Sequence, residues 1–319
     1  MRDPLTWLYA QAVGRRNARY NNGRAEVLRL RLPVISVGNL SMGGSGKTPF
    51  VQMLGRWFSD HGIAYDILSR GYGRRTRGVL RVDATDTADD YGDEPLLLAR
   101  SLGVPVFVGE DRHAAGLAAE EFAATQENPA RLHLLDDGFQ HRRLHRDFDI
   151  VLLNPADLRG RLLPFGRMRE PLSSLERAQA VAVPEDLATL LPAANVWRTR
   201  RRIEFDVPPP ARPLAFCGLA NPRQFWQSLE AAGVHAAGIY TFGDHHRYST
   251  GDIKLLKRLA QRHGADGYIT TAKDAVKLPA GELTPLAVPQ LHVEVDEAER
   301  HFAAMLKRVG VQCAPQDIR

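Results

Sequence analysis

The sequence predicts an α/β protein in which a mostly parallel sheet is flanked by helices. Short apolar runs at 34–37, 65–69, 104–108, 132–135, 149–153 and 179–183 alternate with segments of helical periodicity. The first of these runs, Val34-Ile35-Ser36-Val37, is β-branched and unbroken, the pattern of a parallel strand buried on both faces. Polar loops rich in glycine, aspartate or arginine follow the strands, at the carboxyl ends where ligands sit in open α/β sheets.

The first strand runs into Ser41-Met42-Gly43-Gly44-Ser45-Gly46-Lys47-Thr48, and Phe50, Val51, Leu54, Trp57 and Phe58 then repeat at helical spacing. Strand, glycine-rich turn and helix form the context of a phosphate-binding loop. The glycines let successive N–H groups point into one concavity, and the helix N-terminus adds positive potential. Lys47 would reach the β- and γ-phosphates, and the Thr48 hydroxyl would hold Mg²⁺. The strict pattern places glycine six residues before the lysine, where this chain has Ser41. A glycine-rich turn that binds nothing is the bland alternative. The flanking strand, the helix and the intact Gly-Lys-Thr favour nucleotide.

At 319 residues the chain can hold two domains, each with its own core. The net charge of +5 leans basic, suiting an anionic substrate, a membrane surface or nucleic acid. Arginine outnumbers lysine, and arginine is the better bidentate phosphate ligand, although genome composition can produce the same excess. Cys217 and Cys313 are too few for a disulfide framework and show no metal-ligand spacing, which fits a reducing cytosol. No apolar run reaches membrane-spanning length, and the N-terminus lacks a cleavable signal pattern.

Taken in order, residues 3–22 predict an amphipathic helix: Asp3 caps, Pro4 suits the first turn, and Leu5, Leu8, Tyr9, Ala12 and Val13 share a face flanked by Trp7. Arg15, Arg16 and Arg19 follow. Either an interfacial membrane helix or a helix packed on its own domain satisfies this pattern. After the second strand, Arg70-Gly71-Tyr72-Gly73-Arg74-Arg75 suits phosphate contacts or a solvated basic turn. Asp93 and Glu94 open the next helix, where capping alone would explain them. The strand 132–135 ends in Asp136-Asp137, the Walker-B arrangement of a carboxylate aimed at Mg²⁺. An arginine-rich loop with Arg167 and Arg169, then Glu170, precedes the last strand of this half.

Residues 184–212 read as a boundary, with an alternating extended segment at 196–207. The expected organisation is therefore an N-terminal helix (1–22), a P-loop domain (23–190), an extended linker (191–212) and a smaller α/β domain (213–319). In the last part, Asp244-His245-His246 and Lys273-Asp274 follow strands and can face the cleft between domains. The histidine pair lacks a further metal ligand at suitable spacing, so a base or structural hydrogen bonder is the better reading.

The segments PVISVGNLSMGGSGKTP, SRGYGR, GDEP, VGEDR, LLDDGFQHRRL, GRMREP, GLANPRQF, DHHRY and TAKDAVKL occur in that order across almost the whole chain. Together they resemble the tetraacyldisaccharide 4′-kinase family, whose pattern also accommodates Ser41. The resemblance implies a P-loop kinase domain, ATP and Mg²⁺. It also implies phosphoryl transfer to the 4′-hydroxyl of a lipid A disaccharide 1-phosphate precursor. It makes Asp93 the base and His245 its partner, with Lys47 on the transferring phosphates. Residues 41–48 with Asp136, Asp137 and Gln140 would hold the nucleotide, and Thr48, Asp136, Glu94 and Glu170 the metal. Arg70, Arg112 and Arg169 would bind substrate phosphates. The implied location is the cytoplasmic face of the inner membrane, peripheral or monotopic, reached through the N-terminal helix. Neither nucleic acid nor an obligate protein partner is implied. Ala272 stands where an acidic residue is expected, so Lys273 and Asp274 receive no role. A nucleotide-dependent switch ATPase and an ATP-dependent ligase are the rival readings. Guanine specificity is disfavoured, because the Asn-Lys-x-Asp pattern is missing around Lys273-Asp274.

Overall fold

The computed structural model describes residues 3–44, 46–189, 191 and 195–313. Among these residues the strands form two sheets. The larger contains β1 (Val34–Asn39), β2 (Asp66–Ser69), β3 (Leu80–Arg81), β4 (Val106–Val108), β5 (His133–Asp136), β6 (Phe148–Leu152), β7 (Ala180–Pro184), β8 (Val196–Glu204) and β13 (Gln290–Val295). Their order is β13-β8-β7-β6-β1-β5-β2-β4-β3, parallel throughout except for β3 and β13 at the two edges. The smaller sheet holds β9 (Leu214–Cys217), β10 (Gly238–Thr241), β11 (Tyr268–Ile269) and β12 (Leu286–Ala287), all parallel in the order β10-β9-β11-β12.

The helices are α1 (Pro4–Asn21), α2 (Lys47–Asp60), α3 (Ala88–Tyr91), α4 (Asp93–Leu102), α5 (Arg112–Ala123), α6 (Pro155–Leu158) and α7 (Glu185–Ala188) in the first part of the chain. After β9 come α8 (Pro222–Ala231), α9 (Thr250–His263), α10 (Ala272–Ala275) and α11 (Ala298–Val309). On one face of the large sheet, Phe50, Leu54 and Phe58 of α2, Leu96 and Leu98 of α4, and Phe302 and Met305 of α11 bury Ile35, Val37 and Ile67. On the other face Ala115 and Ala119 of α5 cover Val34, Leu68 and Leu135. Both faces of β1 are thus closed, and all six of its residues are buried. The smaller sheet buries Phe216 against Ile253 and Leu256 of α9 on one side, and Ala215 against Phe225 and Leu229 of α8 on the other.

The linker and second-domain boundaries expected from the sequence do not match this topology. The supposed linker contains β8, which joins the large sheet parallel to β7, and the later β13 pairs antiparallel with β8. The chain leaves the large sheet after β8, builds the small sheet, and returns for β13 and α11. Burial explains the return. Trp197 on β8 meets Phe302 of α11 edge to face with ring centres 5.4 Å apart, and Trp57 meets the same ring at 5.2 Å.

Helix α1 begins as expected, with the Asp3 carboxylate accepting from Leu5 N at 2.8 Å and Pro4 in the first turn. None of its residues is buried. Polar contacts tie it to the domain: Tyr9 Oη donates to Arg169 O, Asn17 Nδ2 to Glu170 and Arg16 to Gln140 O. Leu5, Trp7 and Leu8 are each at least half exposed.

Candidate active site

The loop after β1 brings the nucleotide side together. Gly43 and Gly46 take φ of +91° and +81°, the left-handed region that L side chains avoid, and Gly46 caps α2. Lys47 and Thr48 therefore occupy the first turn of α2 beside its free N–H groups. Ser41 is buried and bridges to Met168, while Met42 donates its N–H to Arg167 O at 2.7 Å. Ser45 lies outside the described residues. Gly38 in β1 allows the loop after β5 to lie close, since a Cβ there would sit 3.0 Å from Phe139 N.

That close approach sets Asp136 and Asp137 against the P-loop. Lys47 Nζ lies 3.1 Å from Asn39 Oδ1 and 3.4 Å from Asp137 Oδ1. Arg169 grips Asp137 with both terminal nitrogens, at 2.9 and 3.1 Å, and also reaches Asn39. Lys47 and Arg169 overcome the cost of burial and hold the Asp137 carboxyl well below its ordinary range. Asp136 is the opposite case. Burial, then the Glu94 and Asp137 carboxylates, push it up to about 7, and its Oδ1 is buried without a hydrogen-bond partner. Gln140 Nε2 donates to Asn39 O, tying the same loop to the end of β1.

These residues fit Mg²⁺. A divalent cation would relieve the crowded Asp136 carboxylate, whose Oδ2 accepts from Ser69 Oγ and whose Oδ1 has no partner, with the Thr48 hydroxyl at the helix start as a second ligand. Among the described residues no cluster of three or more histidine, cysteine or carboxylate ligands occurs. A Mg²⁺ held by one or two protein groups and substrate phosphates needs none.

Glu170 does not share this position. Its carboxylate accepts from Arg177 at 2.9 and 3.2 Å, Ser174 at 3.0 Å and Asn17 at 2.8 Å, and so ties α1 to the segment before β7 in this structure. Arg169 is likewise engaged with Asp137 in this structure. Arg112 is buried, its Nε lacks a partner, and burial and then Arg70 depress its pKa to about 10. Asp137, Asp136 and Asp111 offset part of that effect.

The acceptor side is assembled from both sheets. Asp93 opens α4 after the cap Gly92 and its Oδ1 accepts from Glu94 N at 2.9 Å, but that local bond is not its main contact. Its oxygens instead lie 3.0 and 3.2 Å from His245 Nδ1, across from the small sheet. Lys273 and Lys277 stand 3.9 and 3.7 Å from Asp93 Oδ2. Burial would raise the Asp93 pKa, but the His245 hydrogen bond and the two lysines hold it below the ordinary value. Among the described residues three non-glycines have positive φ, and His245 (+56°) and Asp137 (+53°) are two of them, a strain that surrounding contacts must maintain. Tyr72 of the basic loop is exposed, with its ring 5.1 Å from the imidazole.

Sequence reading missed Asn39 and Arg201, and left Lys273 and Lys277 of the TAKDAVKL stretch without a role. Arg201 lies against the P-loop, its guanidinium carbon 2.8 Å from where a Gly46 Cβ would be. The signal was present: in β8, Trp197 and Thr199 are buried, and Arg201 continues their face while Arg200 and Arg202 point out.

With this geometry in place, comparisons with known proteins are decisive. The tetraacyldisaccharide-1-P 4′-kinase family model matches residues 2–310. The chain belongs to that family. A tetraacyldisaccharide 4′-kinase of Koribacter versatilis is 42% identical, with 96% of this chain and 98% of that protein covered. The Aquifex aeolicus protein of the same name is 37% identical over 88% of this chain and 90% of its own length. A 2.2 Å crystal structure of the family's "apo" form from Aquifex aeolicus, in complex with ATP, superposes with a TM-score of 0.78 at 33% identity. That match covers 96% of this chain and 97% of the other. The family's fold is the α/β arrangement seen here.

Proposed function

We propose that the two halves of this site transfer the γ-phosphoryl group of ATP to the 4′-hydroxyl of a tetraacylated lipid A disaccharide 1-phosphate. The observation that carries the division of labour is the Asp93–His245 contact, a carboxylate–imidazole pair contributed by different sheets. Phosphoryl transfer asks mainly for positioning and for positive charge around the transferring group. Lys47, at the start of α2, moves from Asp137 and Asn39 onto the β- and γ-phosphates, which the P-loop N–H groups cradle. Asp136 and Thr48 would hold Mg²⁺, which would supply charge neutralisation at those phosphates. Arg70 and Arg112 balance further phosphate charge, and Arg169 keeps Asp137 oriented. Glu94, also expected at the metal, pairs with Lys273 in this structure at 3.0 Å.

A sugar hydroxyl is a poor nucleophile until its proton leaves. Asp93 accepts that proton late in the transfer, and His245 fixes the direction of the accepting oxygen. Because the substrate carries acyl chains, the enzyme works at a membrane surface. Among the described residues no helix is long and apolar enough to cross a membrane. Helix α1 offers Leu5, Trp7 and Leu8 to solvent, with Arg15, Arg16 and Arg19 further along it, as an interfacial helix does. We place this docking on the cytoplasmic face of the inner membrane, where ATP is available.

Incubation with γ-labelled ATP, with and without the lipid disaccharide, tests the reading. The expected result is label in the lipid and little hydrolysis without it. Lipid-independent hydrolysis with unlabelled lipid would replace the kinase by a nucleotide switch.

A further inference from the structure

Lys273 sits on α10, a single turn fixed from within. Thr271 caps it by accepting from Asp274 N, and Asp274, fully buried, accepts from Gly218 N at 2.9 Å and Thr271 Oγ1 at 2.7 Å and pairs with Lys277 at 3.0 Å. The turn thus holds Lys273 at the junction of the two sheets. Its Nζ lies 3.0 Å from Glu94 Oε1 and 3.3 Å from His245 Nε2. Burial opposes its charge, but Glu94 and then Asp93 hold its pKa above the ordinary value.

An ammonium has hydrogens to donate and no lone pair to accept with. Where it meets an imidazole nitrogen at hydrogen-bond distance, that nitrogen must be the acceptor, and the ring's own proton must lie on the other nitrogen. Here the other nitrogen is Nδ1, the atom that faces Asp93. We propose that Lys273 is a positioning residue for phosphoryl transfer: by donating to His245 Nε2 it fixes the Nδ1–H tautomer, which donates to Asp93 and aims that carboxylate at the acceptor hydroxyl.

Lys277 supplies a comparison. It has nearly the same distance to Asp93, 3.7 against 3.9 Å, but among the described residues its ion pairs are to Asp93 and Asp274 alone. Lys277 contributes charge near Asp93, whereas Lys273 adds a hydrogen bond that selects a tautomer. Glu94 belongs to the same device, since its Oε1 holds the lysine in place.

The inference rests on the Asp93–His245 pair being the proton-accepting centre, so its test has one arm independent of turnover. In the full-length protein labelled with ¹⁵N-histidine, the ring signals of His245, assigned by their loss in His245→Gln, should show the Nδ1–H pattern at pH 8. In Lys273→Met they should shift toward the Nε2–H form. The lipid kinase rate should then fall roughly 10–100-fold in kcat, the scale of losing an outer orienting partner. KM for Mg-ATP should stay within about twofold, as expected for a group acting only in the transition state. Lys273→Arg, which also only donates, should restore part of both signals. An Nε2–H ring in the unmodified protein overturns the proposal even if no variant folds. So does an unchanged tautomer in Lys273→Met, or a raised KM for Mg-ATP at unchanged kcat, which would make Lys273 a nucleotide ligand. If the tautomer behaves as stated but Asp93→Asn keeps full turnover, the reading of Asp93 fails instead.

Discussion

The nucleotide half and the acceptor half of this site are built differently. The nucleotide half comes from adjoining strands of one sheet: the P-loop follows β1, and Asp136 and Asp137 end its neighbour β5. Its geometry is set by backbone register, close approach at Gly38 and the left-handed glycines. In the acceptor half Asp93 comes from the large sheet's layer, and His245, Lys273 and Lys277 from the small sheet's loops. Side-chain ion pairs across the junction do the joining. The first half is therefore rigid by construction, whereas the second exists only while the two sheets stay together.

The largest expected effects separate the halves by kinetics. Lys47→Ala should lower kcat/KM by about 10³-fold, the order found when a preorganised charge at a developing anion is removed, with the far-ultraviolet circular dichroism unchanged. Near-normal turnover would take the P-loop out of the mechanism. Asp93→Asn should lower kcat about 10²–10⁴-fold while Mg-ATP binds as before, because the amide keeps the shape and loses the base. Asp136→Asn should instead raise the Mg²⁺ concentration for half-maximal rate. If Mg²⁺ titrations place Asp93→Asn in the second class, the two halves are not distinct and Asp136 or Asp137 becomes the candidate base.

A smaller effect concerns access to substrate. Replacing Leu5, Trp7 and Leu8 by serine should move the protein from anionic vesicles to the supernatant in sedimentation, with partial release of the unmodified protein at high salt. Pelleting unaffected by the substitutions would assign docking to another surface.

The smallest effect is on stability against pH, and it has opposite signs in the two halves. Asp93 has a lowered folded pKa, so its contribution is complete above the ordinary aspartate value of about 4 and is lost as pH falls through the lower folded value. Asp136 has a raised folded pKa, so the stability of its protonated form is lost as pH rises toward about 7. Without Mg²⁺ at pH 8, Asp136→Asn should therefore melt a few degrees above the unmodified protein, and Asp93→Asn a few degrees below. The Asp136→Asn gap should close as pH falls from about 7 toward 4, whereas the Asp93→Asn gap should persist to about pH 4 and narrow only below it. Shifts of the same sign in differential scanning calorimetry would contradict the contrast.

The same difference decides what could be read without coordinates. Strands at 34–37 or 132–135 were legible as apolar runs buried on two faces, and the helix at 251–262 because burial on one face writes a period into the sequence. The helix at 3–22, with none of the residues of α1 buried, was legible from Asp3, Pro4 and its apolar stripe. The P-loop and Asp136-Asp137 were legible because neighbouring strands place consecutive loops together. β13 was missed because Gln290–Val295 is a half-buried edge strand, and only its pairing with β8 reveals that it returns. Lys273 was found as a motif but given no role, since its partners Glu94 and His245 are far away in the chain and belong to different layers. The tie of Glu170 to α1 was not legible for the related reason that its partners there, Arg177 and Asn17, carry no motif at all.

The return of β13 and α11 to the large sheet also has a consequence for how the protein is made. Synthesis delivers the P-loop early, yet Trp57 of α2 finds its packing partner Phe302 and its hydrogen-bond acceptor Glu299 only after the whole small sheet has been translated. While the nascent chain grows, the outer edge of β8 has no neighbour and the aromatic surface of Trp57 and Trp197 has no cover. The domain that begins first is finished last, so a ribosome stalled anywhere before residue 290 carries an open-edged sheet, a species for chaperones to shield.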